Sequence, residues 1–193
     1  MFLEIAKKAG SIEVICGSMF SGKTEELNRR MKRAQFAKQK VAIYKPCIDV
    51  RYSEDEVVSH DAHSIPSIPI DTPVKMLDIS SDVEVVGIDE AQFFDNSIIE
   101  VVQTLANRGV RVIIAGLDTD FLGKPFGPMP SLMAVAEDIQ KVHAICVKCG
   151  SPANHSHRLS KSNELVVLGE TDIYEPLCRH CYNAAIEKEK ESL

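Results

Sequence analysis

The chain has 193 residues, 45% of them hydrophobic, and a formal net charge of -6, which suits one domain of ordinary size with a small appendage and a sizeable core. The acidic balance argues against a nonspecific nucleic-acid binder, because phosphate backbones reward basic surfaces. No apolar stretch approaches the ~20 residues of a membrane-spanning helix, and the opening MFLEIAKKAGS lacks the apolar stretch and cleavage pattern of a signal peptide, so a cytoplasmic location is expected.

In chain order, Ile12 to Cys16 is an apolar strand candidate, and it runs straight into Gly17, Ser18, Met19, Phe20, Ser21, Gly22, Lys23 and Thr24. Their spacing, G-x-x-x-x-G-K-T, is that of a phosphate-binding loop. The two glycines let backbone N–H groups turn inward around phosphate oxygens, Lys23 reaches the β and γ phosphates, and the Thr24 hydroxyl takes one corner of a Mg²⁺ octahedron. From Lys23 the chain reads as a helix, whose basic cluster RRMKR at 29–33 reads as a solvated face. KVAIYK from Lys40, VEVVGIDE from Val83 and RVIIAGLD from Arg111 have the short, nearly continuous apolar character of strands buried on both faces. Between the last two, Ile98, Ile99, Val102 and Leu105 recur at helical spacing, with Asn107 to Gly109 as a stop. Alternation of this kind predicts a parallel sheet with crossover helices. The stretch from 49 to 82, acidic at SEDE and carrying Pro66, Pro69 and Pro73, reads as a mobile loop with short strand pieces.

Asp89 and Glu90 close the strand candidate that starts at Val83. On a phosphate-loop protein, an acidic residue at that strand end is where a metal-holding aspartate belongs, and Asp89 fits. Glu90, pointing elsewhere, can act as a general base toward an oxygen attacking the γ phosphate. Gln92 is grouped with the nucleotide-binding residues. Near the end of the chain, Cys146, Cys149, Cys178 and Cys181 form two C-x-x-C pairs, a donor set suited to a closed, structural zinc tetrahedron; a cytosolic compartment disfavours disulfides between them. Cys16 and Cys47 read as small apolar residues, and His143, His155, His157 and His180 as surface residues rather than ligands. These features do not say whether the attacking oxygen belongs to water, as in an NTPase or switch, or to an alcohol, as in a small-molecule kinase. The guanine-reading N-K-x-D of a GTPase switch is absent from the sequence.

The segments GSMFSGKTEEL, DVRYS, SHD, DEAQFF, GLDTDF, KPFGPMPSLMAVAE, CVKCG and GETDIYEPLCRHCY, in order from Gly10 to about Tyr182, together resemble the cytosolic, zinc-containing thymidine kinase family in its bacterial form. The resemblance implies a RecA-like, phosphate-loop parallel sheet with flanking helices over residues 1–143, and a small zinc-binding domain with a lasso loop over 144–193. It implies transfer of the γ phosphate of ATP to the 5′ hydroxyl of thymidine or deoxyuridine with Mg²⁺, homotetramers, and feedback inhibition by dTTP. Glu90 matches the family's base, and Arg51 matches an arginine at the transferring phosphoryl group, with Asp49 beside it. Met19, Phe93, Leu117, Phe121 and Phe126 match residues enclosing sugar and base. Leu165, Val166, Val167, Leu168 and Gly169, followed by Tyr174, match the lasso that closes over the nucleoside. Glu170 and Ile173 stand where members vary, and Thr24 replaces a serine of some relatives.

Overall fold

The computed structural model describes residues 10–47, 65–159 and 173–191. Its centre is a six-stranded, all-parallel sheet in the order β3-β2-β4-β5-β1-β6. The strands are β1 (Ser11–Cys16), β2 (Val41–Pro46), β3 (Ser67–Ile70), β4 (Val85–Ile88), β5 (Arg111–Gly116) and β6 (Asp138–Lys141). Alternation along the inner strands sends side chains to two cores. Val14, Cys16, Val86, Ile88, Val112 and Ile114 meet α2 (Ser97–Asn107) and α3 (Met129–Val135) on one face. Ile15, Ile43, Val85 and Ile113 meet Leu27, Met31 and Ala34 of α1 (Lys23–Phe36) on the other. Burial on both faces is why β4 and β5 read as unbroken apolar runs.

The predicted strands and helices are all present, with ends shifted by a few residues. In α2 the buried face is Ile98, Val101, Val102 and Leu105, while Ile99 packs only partly at its margin. Within 49–82, β3 pairs in parallel with β2 as an edge strand, and a 3₁₀ turn spans Pro73–Asp78 with Pro73 and Met76 buried. Pro69 is tolerated there because an edge strand leaves one side unpaired. The RRMKR cluster is not a uniformly solvated face. Met31 is fully buried, and Arg30 is drawn in by Glu13 at 2.5 Å, Glu26 at 2.9 Å and Gln140 at 2.5 Å.

After β6 come two short antiparallel pairs, β7 (Ala144–Ile145) with β8 (Pro152–Ala153) and β9 (His155–Arg158) with β10 (Tyr174–Leu177), then α4 (Arg179–Glu191). They enclose a third, smaller core of Ala144, Cys146, Ala153, Leu177 and Tyr182. Two histidines expected at the surface are buried there. His155 stacks on Tyr182 with ring centroids 4.5 Å apart, and His157 lies 3.1 Å from both Glu175 and Glu189. Partners brought in by β10 and α4 bury these polar residues. Cys16 is buried as expected, but Cys47, just past the end of β2, is exposed. Among the described residues, no helix is long and apolar enough to cross a membrane.

Candidate active site

The carboxyl ends of β1, β4 and β5 converge where the strand order reverses around β1, the usual crevice of an open parallel sheet. The loop from Gly17 to Gly22 leaves β1 here. Gly17, at φ 152°, lies so close to the strap after β6 that a β-carbon would sit 2.3 Å from the Val142 carbonyl oxygen. Gly22, at φ 82°, is the residue before α1 and occupies the left-handed region that glycine enters without penalty. Ser21 Oγ and Lys23 Nζ both donate to the Ser18 carbonyl, at 2.7 and 2.8 Å, so the lysine side chain is folded over the loop. Burial pulls the Lys23 ammonium below its ordinary value, opposed by the carboxylates of Glu90, Asp89 and Asp118. A polyanion in the crevice would stabilise that charge further.

Across from the loop, Thr24 Oγ1 lies 3.1 Å from Asp89 Oδ2 and 3.3 Å from Oδ1. Burial, reinforced by the adjacent Glu90, raises the Asp89 carboxyl pKa. A hydroxyl beside a buried carboxylate is a donor set that suits a hard, oxygen-seeking cation such as Mg²⁺. Glu90 itself is left-handed at φ 51°, ψ 40°, and its Oε2 accepts a short hydrogen bond from Gln92 Nε2. Gln92 is buried, and its Oε1 accepts from the Leu117 N–H at 2.9 Å, tying the end of β4 to the end of β5. Gly127, at φ 49°, approaches the Gln92 carbonyl so closely that a β-carbon there would stand 2.4 Å from the oxygen.

The aromatic residues come from the 3₁₀ turn after β4 (Phe93), the loop after β5 (Phe121 and Phe126) and β10 (Tyr174). Phe93 and Phe126 pack edge to face at 5.7 Å. Asp120 Oδ1 accepts from the N–H groups of Leu122 and Lys124, both at 2.9 Å, and so shapes the turn that presents Phe121. The Arg158 guanidinium lies 3.6 Å from the Phe121 ring centroid and donates to the Tyr174 hydroxyl, so these two expected wall residues meet through it. Met19 is half-buried and its N–H donates to Ser156 Oγ at 2.9 Å, while Ser18 Oγ donates to the Ala153 carbonyl at 3.3 Å. The phosphate loop is therefore pinned to the carboxyl-terminal module. Asp49, Arg51, Leu165, Val166, Val167, Leu168 and Gly169 lie outside the described residues.

Sequence reasoning missed Arg158, Ser156 and Asp118. Asp118 is buried just past the end of β5, its Oδ2 2.5 Å from Lys141 Nζ, and its Oδ1 has no hydrogen-bond partner among the described residues. Its signal was a charge directly after an apolar strand; HSHR, by contrast, looks like any polar segment.

The four cysteines meet as expected, with all sulfurs within 4.8 Å of one another and Cys149 Sγ 3.6 Å from Cys178 Sγ. Zinc–sulfur bonds of about 2.3 Å place tetrahedral sulfurs about 3.8 Å apart, so the cluster fits that ion. The Gly150 N–H donates to the Cys146 carbonyl at 2.8 Å, and Gly150 takes φ 74°, the tight turn that lets one pair face the other.

A family model described as thymidine kinase matches residues 10–182. A thymidine kinase of Bacteroides fragilis (strain YCH46) is 62% identical over 98% of this chain and 95% of its own length. One from Bacteroides thetaiotaomicron is 64% identical over 93% and 90%. One from Rhodothermus sp. is 56% identical over 94% and 85%. With the phosphate loop, the carboxylate pair, the aromatic wall and the sulfur cluster all falling inside the matched span, the chain belongs to the thymidine kinase family.

Proposed function

We propose that this kinase transfers the γ phosphate of ATP to the 5′ hydroxyl of thymidine, or of deoxyuridine, yielding ADP and dTMP for salvage into DNA synthesis. The observation that carries the reading is the placement of Glu90: one residue beyond the Thr24–Asp89 contact, held by Gln92, on the strand end that faces the phosphate loop. Backbone N–H groups from Gly17 to Gly22, with Phe20 among them, cradle the triphosphate, and Lys23 leaves the Ser18 carbonyl to meet it. Thr24 and Asp89 would hold Mg²⁺, which when bound neutralises charge on the β and γ phosphates. Glu90 accepts the 5′ proton as the sugar oxygen attacks phosphorus, and Gln92 keeps its carboxylate aimed. Arg51 spreads its charge over the transferring phosphoryl group, with Asp49 beside it.

Met19, Phe93, Leu117, Phe121, Phe126 and Tyr174 form the apolar enclosure for a flat pyrimidine. Residues 165–169 close over the base, and zinc held by the four-cysteine cluster would anchor one end of that loop, through Cys178 and Cys181, against Cys146 and Cys149. A functional division at 143/144, a cytoplasmic location, assembly as a homotetramer and inhibition by dTTP complete the reading, supported by the family resemblance.

Incubation with ATP, Mg²⁺ and a panel of nucleosides tests it. New monophosphate should form with thymidine and deoxyuridine and not with purine nucleosides. ATP hydrolysis that ignores every nucleoside would overturn the reading.

A further inference from the structure

We propose that Arg158 is a positioning residue for the nucleoside: it holds Phe121 and Tyr174 as one rigid wall, so that loss of its planar fork weakens nucleoside binding specifically. The inference rests on the pocket reading above, which makes those two rings the wall.

Arg158 ends β9 directly opposite Tyr174 on β10. The side chain is almost wholly enclosed, 5% exposed. Its guanidinium carbon stands 3.6 Å above the Phe121 ring centroid and 5.3 Å from that of Tyr174. Nε and Nη2 both donate to the Tyr174 hydroxyl, at 3.2 and 2.8 Å. One planar group therefore stacks on the first ring while its edge grips the second. Phe121 is also fixed from behind, because the Tyr182 hydroxyl donates to its carbonyl at 2.8 Å. The ring comes from the loop after β5 and the hydroxyl from the small sheet; the guanidinium joins them.

Burying a guanidinium is costly, and an apolar side chain of similar volume would fill the space without that cost. Lysine offers a point charge on a flexible stem and cannot stack and fork at once. The choice of arginine thus points to geometry: two aromatic planes kept at a set separation before the nucleoside arrives. Preorganisation of that kind lowers the ordering cost of binding and leaves the phosphate side untouched.

The test uses the full-length, zinc-loaded enzyme, with steady-state kinetics in both substrates, zinc content and unfolding midpoint for each variant. Arg158→Met should raise the thymidine KM by about tenfold and leave the ATP KM within about twofold. Arg158→Lys should remain impaired in the same direction. Tyr174→Phe deletes one oxygen and keeps the packing, so it supplies the measurement should the arginine variants fail to fold; a rise of about threefold in thymidine KM is expected. Arg158→Met combined with Tyr174→Phe should resemble Arg158→Met alone, because the hydroxyl acts through the guanidinium. The inference is overturned if Arg158→Met leaves the thymidine KM unchanged, if both KM values move together with loss of zinc, or if Tyr174→Phe has no effect. Phe121→Ala separates the two levels: an unchanged thymidine KM there refutes the pocket reading itself, whereas a raised one beside a silent Arg158→Met refutes only the role of Arg158.

Discussion

Glu90 occupies a left-handed backbone that costs a residue with a β-carbon about 1–2 kcal/mol. The tight turn from β4 into the 3₁₀ turn Ala91–Phe93 imposes it, and the result is two successive carboxylates facing different partners: Asp89 toward Thr24, Glu90 toward Gln92. Replacing the acid with its amide keeps the shape and removes the proton acceptor of the proposed mechanism. Glu90→Gln should therefore lower kcat by about 10²–10⁴-fold while ATP affinity, read by calorimetry, stays near that of the native protein. Gly127→Ala attacks the same carboxylate indirectly, since its methyl would push on the Gln92 carbonyl and strain the backbone. It should reduce the unfolding free energy by about 1–3 kcal/mol in denaturant titration and also lower kcat. Asp89 and Glu90 were legible because an acidic pair after a buried strand has few other uses on a phosphate-loop protein. Arg158 was not: in HSHR nothing local announces burial, which arrives from strand and helix partners beyond residue 173.

At the level of elements, α1 is fastened to the sheet by charge as well as by its apolar stripe. Glu13, inside β1, receives Arg111 at 2.5 and 3.0 Å and Arg30 at 2.5 Å, and Glu26 pairs with Arg29 and Arg30 from within the helix. Burial works to raise the Glu13 pKa, but the two guanidinium groups outweigh it and leave it lowered from 4.5. A lowered acid stabilises the fold above its unfolded-state value, and that stabilisation is lost as pH falls through the folded-state value. Glu13→Gln should thus cost about 2 kcal/mol at neutral pH, with the gap from the native protein closing as pH drops below 4.5, as followed by denaturation across a pH series. The long strands were visible as apolar runs; β6 was not, because all four of its residues are exposed and an edge strand with no covered face leaves no alternation to read.

Across the described residues, two sheet cores and a smaller cysteine-bearing core are joined where the loop after β1 bonds to the carboxyl-terminal module. The proposed phosphate side could be read from contiguous residues, whereas the proposed nucleoside side is assembled from segments that only the fold brings together, as where Tyr182 reaches Phe121 across 61 residues of sequence. Elemental analysis should find about one zinc per chain for a four-thiolate site, and Cys178→Ser should lose both the metal and thymidine turnover. The bonds from Ser18 to Ala153 and from Met19 to Ser156 carry a subtler outcome. They tie the proposed anion cradle to the cysteine-bearing module, so a chelator that never touches nucleotide should loosen the hold on triphosphate and raise the ATP KM. By thermodynamic reciprocity, if zinc tightens the binding of ATP, bound ATP must raise the affinity for zinc by the same factor, as a competition titration with a chelator would read.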